Sequence, residues 1–136
     1  MSDLQLLLVA VLATTLSFIG CSSQLNPSDV VGAYTLRYPY GVEELVLRRD
    51  GTYEQSFVKH GETSAKKNLG RWELREGKQP EIVLRNCMLV DDFFGKPRAS
   101  SEEFQPGDCI LRVEKRFGRV SLPLNEDQGF IYKKKS

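Results

Sequence analysis

The chain has 136 residues, 40% hydrophobic and 27% charged, a balance that fits one ordinary globular domain and excludes a disordered polymer or a polytopic membrane protein. A domain of this length removes roughly two thirds of its unfolded surface from water, enough to hold a core without a structural metal. With 19 Lys and Arg against 18 Asp and Glu the net charge is +1, which lacks the concentrated basic excess that phosphate backbones require, so no nucleic acid partner is expected.

Leu4 to Gly20 carries no charge for 17 residues and ends in Leu16-Ser17-Phe18-Ile19-Gly20-Cys21, an apolar run closing on a small residue and a cysteine. Seventeen residues is at the short limit for a spanning helix, and no Lys or Arg flanks the run. The stretch resembles the cleavage box of bacterial lipoproteins. That resemblance implies a signal helix over residues 1–20 that is removed, acylation of Cys21 with chains such as palmitate, and anchorage in a membrane. Ser22 after the cysteine, in place of Asp, resembles the outer-membrane sorting pattern, which places the domain in the bacterial cell envelope facing the periplasm. Removing residues 1–20 takes away one acid, Asp3, and leaves 116 residues with 19 basic and 17 acidic side chains, a charge of +2.

Acylation would consume Cys21 and leave Cys87 and Cys109 as an even pair in an oxidising compartment. A disulfide between them closes a loop of about 22 residues, worth roughly 3 kcal/mol in the chain-entropy model. Two buried free thiols are the alternative.

Residues 21–29 are short, polar and Pro-containing, suited to a tether, and the β domain is expected over 30–136. From Val30 onward short apolar alternations are separated by turn residues, without sustained helical periodicity. Tyr34, Leu36 and Tyr38 alternate in a first strand, and Leu45 and Leu47 share one face of a second over Glu43 to Arg49. Asp50-Gly51 marks a tight hairpin, because such turns need positive φ and Gly adopts it cheaply. The returning strand carries Tyr53, Gln55 and Phe57. In Gly70 to Arg75, Trp72 and Leu74 are expected inside. Glu81 to Val90 reads as one further strand, Cys109 to Phe117 and Val120 to Leu124 as a hairpin about Gly118, and Phe130 to Lys133 as the last strand.

Seven or eight short strands joined by tight turns make an all-β antiparallel meander, and closure into a small barrel would remove its exposed edges. Gly32-Ala33-Tyr34, then Leu45 and Leu47 leading into Asp50-Gly51-Thr52-Tyr53, then Gly70-Arg71-Trp72, resemble the lipocalin-like domains of small bacterial lipoproteins. The resemblance covers Val30 to about Leu84 and implies an eight-stranded or partly open barrel, often with a ligand cavity.

No catalytic constellation stands out. His60 is the single histidine, without a partner at metal-ligand or triad spacing, and phosphate-loop, dinucleotide and nucleophile-elbow motifs are absent. Glu43 and Glu44 are adjacent on a strand and must point to opposite faces. No catalytic residue, cofactor or metal is therefore expected, and an enzyme would need His60 or two carboxylates meeting in a cleft. Asp91 to Asp108 is a long connection of the kind that is usually functional or disordered. It carries Phe93, Phe94 and Phe104, which make it a lid, a partner-contacting flap, or simply core at one barrel end. Its acids Asp91, Asp92, Glu102, Glu103 and Asp108 lack calcium-loop spacing. Tyr34, Tyr38, Tyr53, Phe57 and Trp72 should converge inside, filling the barrel or lining a cavity. Lys133-Lys134-Lys135 is a solubilising end or a contact for anionic lipid.

Two functional readings follow. One is a lipid-anchored barrel that binds a small, partly apolar ligand, with contacts from Tyr34, Trp72, Phe93, Phe94 and Phe104. The other is an envelope interaction or inhibitor protein acting through the 91–108 flap.

Overall fold

The computed structural model describes residues 25–90 and 107–136, so the expected signal helix, Cys21, and the flap aromatics Phe93, Phe94 and Phe104 lie outside the described residues. The chain enters through a helical turn, α1 (Pro27–Val30). Among the described residues nine strands follow: β1 (Gly32–Tyr38), β2 (Gly41–Leu47), β3 (Thr52–Lys59), β4 (Lys66–Arg75), β5 (Glu81–Leu84), β6 (Cys109–Arg112), β7 (Glu114–Arg116), β8 (Arg119–Asn125) and β9 (Phe130–Lys134). All pairings are antiparallel, in the order β6-β5-β4-β3-β2-β1-β9-β8-β7, and the sheet curls into a nearly closed barrel.

Closure comes from one stretch of chain. Residues 109–116 pair with β5 through β6 and with β8 through β7, and only Val113 separates the two halves. Val113 is buried, and its N–H donates to the Pro80 carbonyl at 2.9 Å, so the backbone kinks there without losing its hydrogen bond. Sequence periodicity predicts a single strand from Cys109 to Phe117. The kink divides it and brings the count to nine.

Alternation sets the core. Tyr34, Leu36 and Tyr38 of β1, Leu45 and Leu47 of β2, Tyr53 and Phe57 of β3, Leu122 of β8 and Tyr132 of β9 all point inward and are buried. The β2–β3 hairpin closes at Asp50-Gly51 as expected, with Gly51 at φ 81° and the Asp50 carboxylate accepting from the Thr52 N–H (2.9 Å) and hydroxyl (2.6 Å). Trp72 and Leu74 face the core as predicted but stay half-buried. Leu25 of the expected tether lies against the core, and at the start of the domain Val30 is buried, its carbonyl accepting from the Tyr34 hydroxyl at 2.6 Å.

The largest departure from the periodicity falls after Leu84. The apolar run to Val90 is not one strand, because Arg85 and Asn86 form an exposed turn with Asn86 at φ 54°. Cys87 to Val90 then pass into the core, with Cys87, Met88 and Val90 buried. Side chains of β3 and β4 replace the missing strand ladder. The Tyr53 hydroxyl donates to Arg85 O (2.7 Å) and the Asn68 amide to Asn86 O (2.7 Å). The Arg85 N–H donates to Arg71 O at 2.9 Å.

Cys87 and Cys109 form the expected disulfide, their Cα atoms 5.9 Å apart, and the Cys87 N–H donates to Gly107 O at 2.8 Å. The bridge ties the start of the inserted segment to β6.

Gly70 makes the close passage of Arg85 possible. A Cβ at this position would stand 2.6 Å from Arg85 O and 2.6 Å from the Tyr53 ring, and the first of these is backbone that cannot rotate away. Gly70→Ala should therefore destabilise the fold by roughly 1–3 kcal/mol, read as a lower urea midpoint. An unchanged midpoint would mean that Arg85 does not lie against β4.

Candidate functional site

The barrel interior is built around a buried carboxyl group. Glu43 occupies an inward position of β2, two residues before Leu45, and is 1% exposed. Three donors converge on it: Tyr38 Oη to Oε2 at 2.9 Å, and Tyr132 Oη and Gln55 Nε2 to Oε1, both at 2.5 Å. Gln55 is itself 1% exposed, and its amide orientation follows from the backbone of Met88. The Met88 N–H donates to Gln55 Oε1 at 2.8 Å, and Gln55 Nε2 donates to Met88 O at 2.9 Å. This pair of bonds has the geometry of a strand ladder, with a side-chain amide in place of one strand, and it leaves the second N–H of Gln55 for Glu43.

Burial pushes the Glu43 carboxyl up from its ordinary value, against the opposing pull of its hydrogen bonds from Tyr132, Gln55 and Tyr38. Among the described residues no Lys or Arg forms an ion pair with it. Burial, with Glu43 alongside, also raises the Tyr132 phenol well above the usual range. Between Glu43, Tyr38, Tyr132, Met88 and Val90 the space left is about 20 Å³. That is room for a single water. Chemically the site can hold a proton and orient Met88.

Of the sequence-predicted contact residues only Tyr34 and Trp72 lie among the described residues, and each is engaged in its own hydrogen bond. Tyr34 is fully buried and serves α1 through its hydroxyl, and burial raises its phenol above the ordinary range. Trp72 is half-buried and donates its indole N–H to Arg48 O at 2.8 Å, which braces the β2–β3 turn. Among the described residues Tyr38, Tyr40, Phe57 and Phe130 meet, with Tyr38 stacked on Tyr40 at 5.2 Å and edge-on to Phe130 at 4.9 Å. Tyr53 is spent on Arg85, its phenol raised to about 12 mainly by burial. His60 is exposed in the β3–β4 connection, and Asp108 is engaged by Arg85, which also pairs with Glu73 at 2.8 Å. Among the described residues no three of His, Cys, Asp and Glu are grouped as a metal site would need, and no helix is long and apolar enough to cross a membrane.

The sequence reading sets Glu43 and Glu44 on opposite strand faces and does not single out Glu43 as buried. Glu43 and Gln55 sit in period with Leu45 and with Tyr53 and Phe57, and that period was the available signal. A second feature was only half visible. An open groove of about 900 Å³ lies between α1, the β7–β8 hairpin and the end of β9. It is lined by Lys115, Arg116, Arg119, Lys133, Lys134 and Lys135, with Asp29 as its acidic side chain. The backbone N–H of Asn26, with Lys115 and Lys134 nearby, holds the Asp29 carboxyl below its usual value. Burial pushes the Lys134 ammonium down, with Asp29 opposing.

Comparison with protein-family models, with curated proteins and with solved structures finds no match to this chain.

Because the folded protein holds the Glu43 proton more tightly than the unfolded chain, this group's contribution to stability is complete below the unfolded value near 4.5. It is lost as pH rises through the raised folded value. Glu43→Gln removes the titration while keeping a hydrogen-bonding end in place. The variant's stability relative to the parent should therefore grow between about pH 5 and pH 8 when urea unfolding is measured at both. A difference that stays constant with pH would contradict the buried carboxyl.

Proposed function

We propose that the chain is a non-catalytic, lipid-anchored protein of the bacterial cell envelope, held through Cys21 at the outer membrane and facing the periplasm. Its lipocalin-like barrel serves as a rigid scaffold whose surface, with the 91–108 segment, engages another envelope protein. The observation that carries this reading is the filled interior. Among the described residues Met88 and Val90 are buried in the barrel interior, and about 20 Å³ remains between them and Glu43. Ligand pockets begin at about 300 Å³. Carriage of a small, partly apolar ligand is the competing reading, and it would require this inserted segment to leave the barrel.

The disulfide supports an oxidising compartment, as the envelope address requires. The anchor itself rests on the sequence from Leu4 to Cys21.

Two measurements separate these readings. Intact-mass analysis of the membrane fraction should find a chain that begins at an acylated Cys21, and a full-length unacylated chain would remove the anchor. Native mass spectrometry of protein taken from its own envelope should find a protein partner and no small-molecule adduct. A stoichiometric partly apolar adduct would favour the carrier instead.

A further inference from the structure

We infer that the basic groove at the α1 end of the barrel, with Phe117 at its rim, is a docking surface for an anionic lipid bilayer. Phe117 and Gly118 form the tip of the β7–β8 hairpin, with φ values of 51° and 74°. Positive φ at both central positions is the pattern of a tight hairpin turn that Asn, Asp or Gly fill without strain. Phe is a poor choice there on backbone grounds. It is not retained for packing either, because its side chain is 103% exposed, the most exposed large hydrophobic residue among those described.

Cations flank the hairpin tip and line the groove that Phe117 borders. Arg116 and Arg119 pair across the hairpin directly beneath it, and Lys115, Lys133, Lys134 and Lys135 line the groove behind. Acids answer some of this charge: Asp29 lies 3.4 Å from Lys115, Glu114 3.6 Å from Arg116, and Glu44 holds Lys135. Among the described residues Arg119 and Lys133 have no carboxylate within 4 Å, and Lys134 donates only to the Asp29 carbonyl.

The chemistry selects a bilayer over other anionic partners. A lone aromatic at a protruding tip can enter the acyl boundary while the cations beside it stay level with lipid phosphates. A single ring is not a stacking platform for successive bases. Nor does it form the desolvated core that a protein interface is built on. Position agrees with this choice. Asp29 of α1 lines the groove and Cys21 lies four residues before Leu25, so a lipid on Cys21 would turn this same end toward the membrane. That orientation rests on the proposed anchor, whereas the charge and the exposed ring do not.

The test uses the full chain with Cys21→Ser, which cannot be acylated, so its outcome is independent of the intact-mass result. Affinity is measured on vesicles of pure phosphatidylcholine and on vesicles with half the lipid replaced by phosphatidylglycerol. The apolar N-terminal run contributes alike to both, so the ratio of affinities isolates charge. The parent should prefer the anionic vesicles. Adding Arg119→Gln and Lys133→Gln, two cations without acidic partners, should lower that preference by about five-fold per cation. Adding Phe117→Asn instead relieves the turn, so the fold is kept. It should weaken binding to anionic vesicles while leaving the preference ratio in place. Equal binding of the parent to both vesicles, or an unchanged ratio in the double variant, would overturn the docking surface. Unchanged affinity with Phe117→Asn would overturn the role of the ring.

Discussion

The interior of this barrel depends on one side-chain amide. Gln55 meets both the N–H and the carbonyl of Met88, and its remaining N–H reaches Glu43. A segment without strand partners can be buried only if its backbone polar groups are satisfied, since each unpaired buried group costs roughly 1–3 kcal/mol. Gln55 does this for Met88, while Tyr53 and Asn68 hold the carbonyls of the exposed Arg85-Asn86 turn that leads into it. The buried carboxyl is a consequence of the same arrangement. Once the Gln55 amide is oriented by Met88, its free N–H needs an acceptor in an apolar interior, and Glu43 supplies one that Tyr38 and Tyr132 also use.

Filling the barrel with its own chain changes what the fold can be used for. An open barrel offers its cavity, whereas a plugged one offers surface. Here the described surface is uneven: the basic groove and the exposed Phe117 sit at the end where α1 enters, while the disulfide fixes the inserted segment to β6. The half-buried Trp72 and the buried Tyr34 brace a turn and a helical entry, which are structural duties.

Much of the architecture was legible in the residue pattern. Period-two alternation located β1 to β4, β8 and β9, and Asp50-Gly51 located the hairpin between β2 and β3. The even pair of cysteines left after Cys21 located the bridge. The run from Glu81 to Val90, read as one strand, breaks after Leu84 for a physical reason. Apolar residues are equally suited to a buried strand and to a segment packed inside a barrel, and only the polar pair Arg85-Asn86 marks the break. Val113 carries no Gly or Pro to announce its kink. Glu43 and Gln55 were hidden by their type, because an acid and an amide on a strand are ordinarily read as facing water. The basic groove escaped because its cations come from two distant stretches, 115–119 and 133–135, which only the pairing of β8 with β9 brings together.

Residue-resolved amide hydrogen exchange at Met88 tests the plugged barrel most directly. With its N–H bonded to Gln55 in the core, Met88 should exchange as slowly as the central amides of β3, and Gln55→Ala should make it fast while the β3 ladder stays protected. Exchange of Met88 in the parent protein at the rate of the exposed loop around His60 would contradict the insertion of this segment, and with it the filled interior.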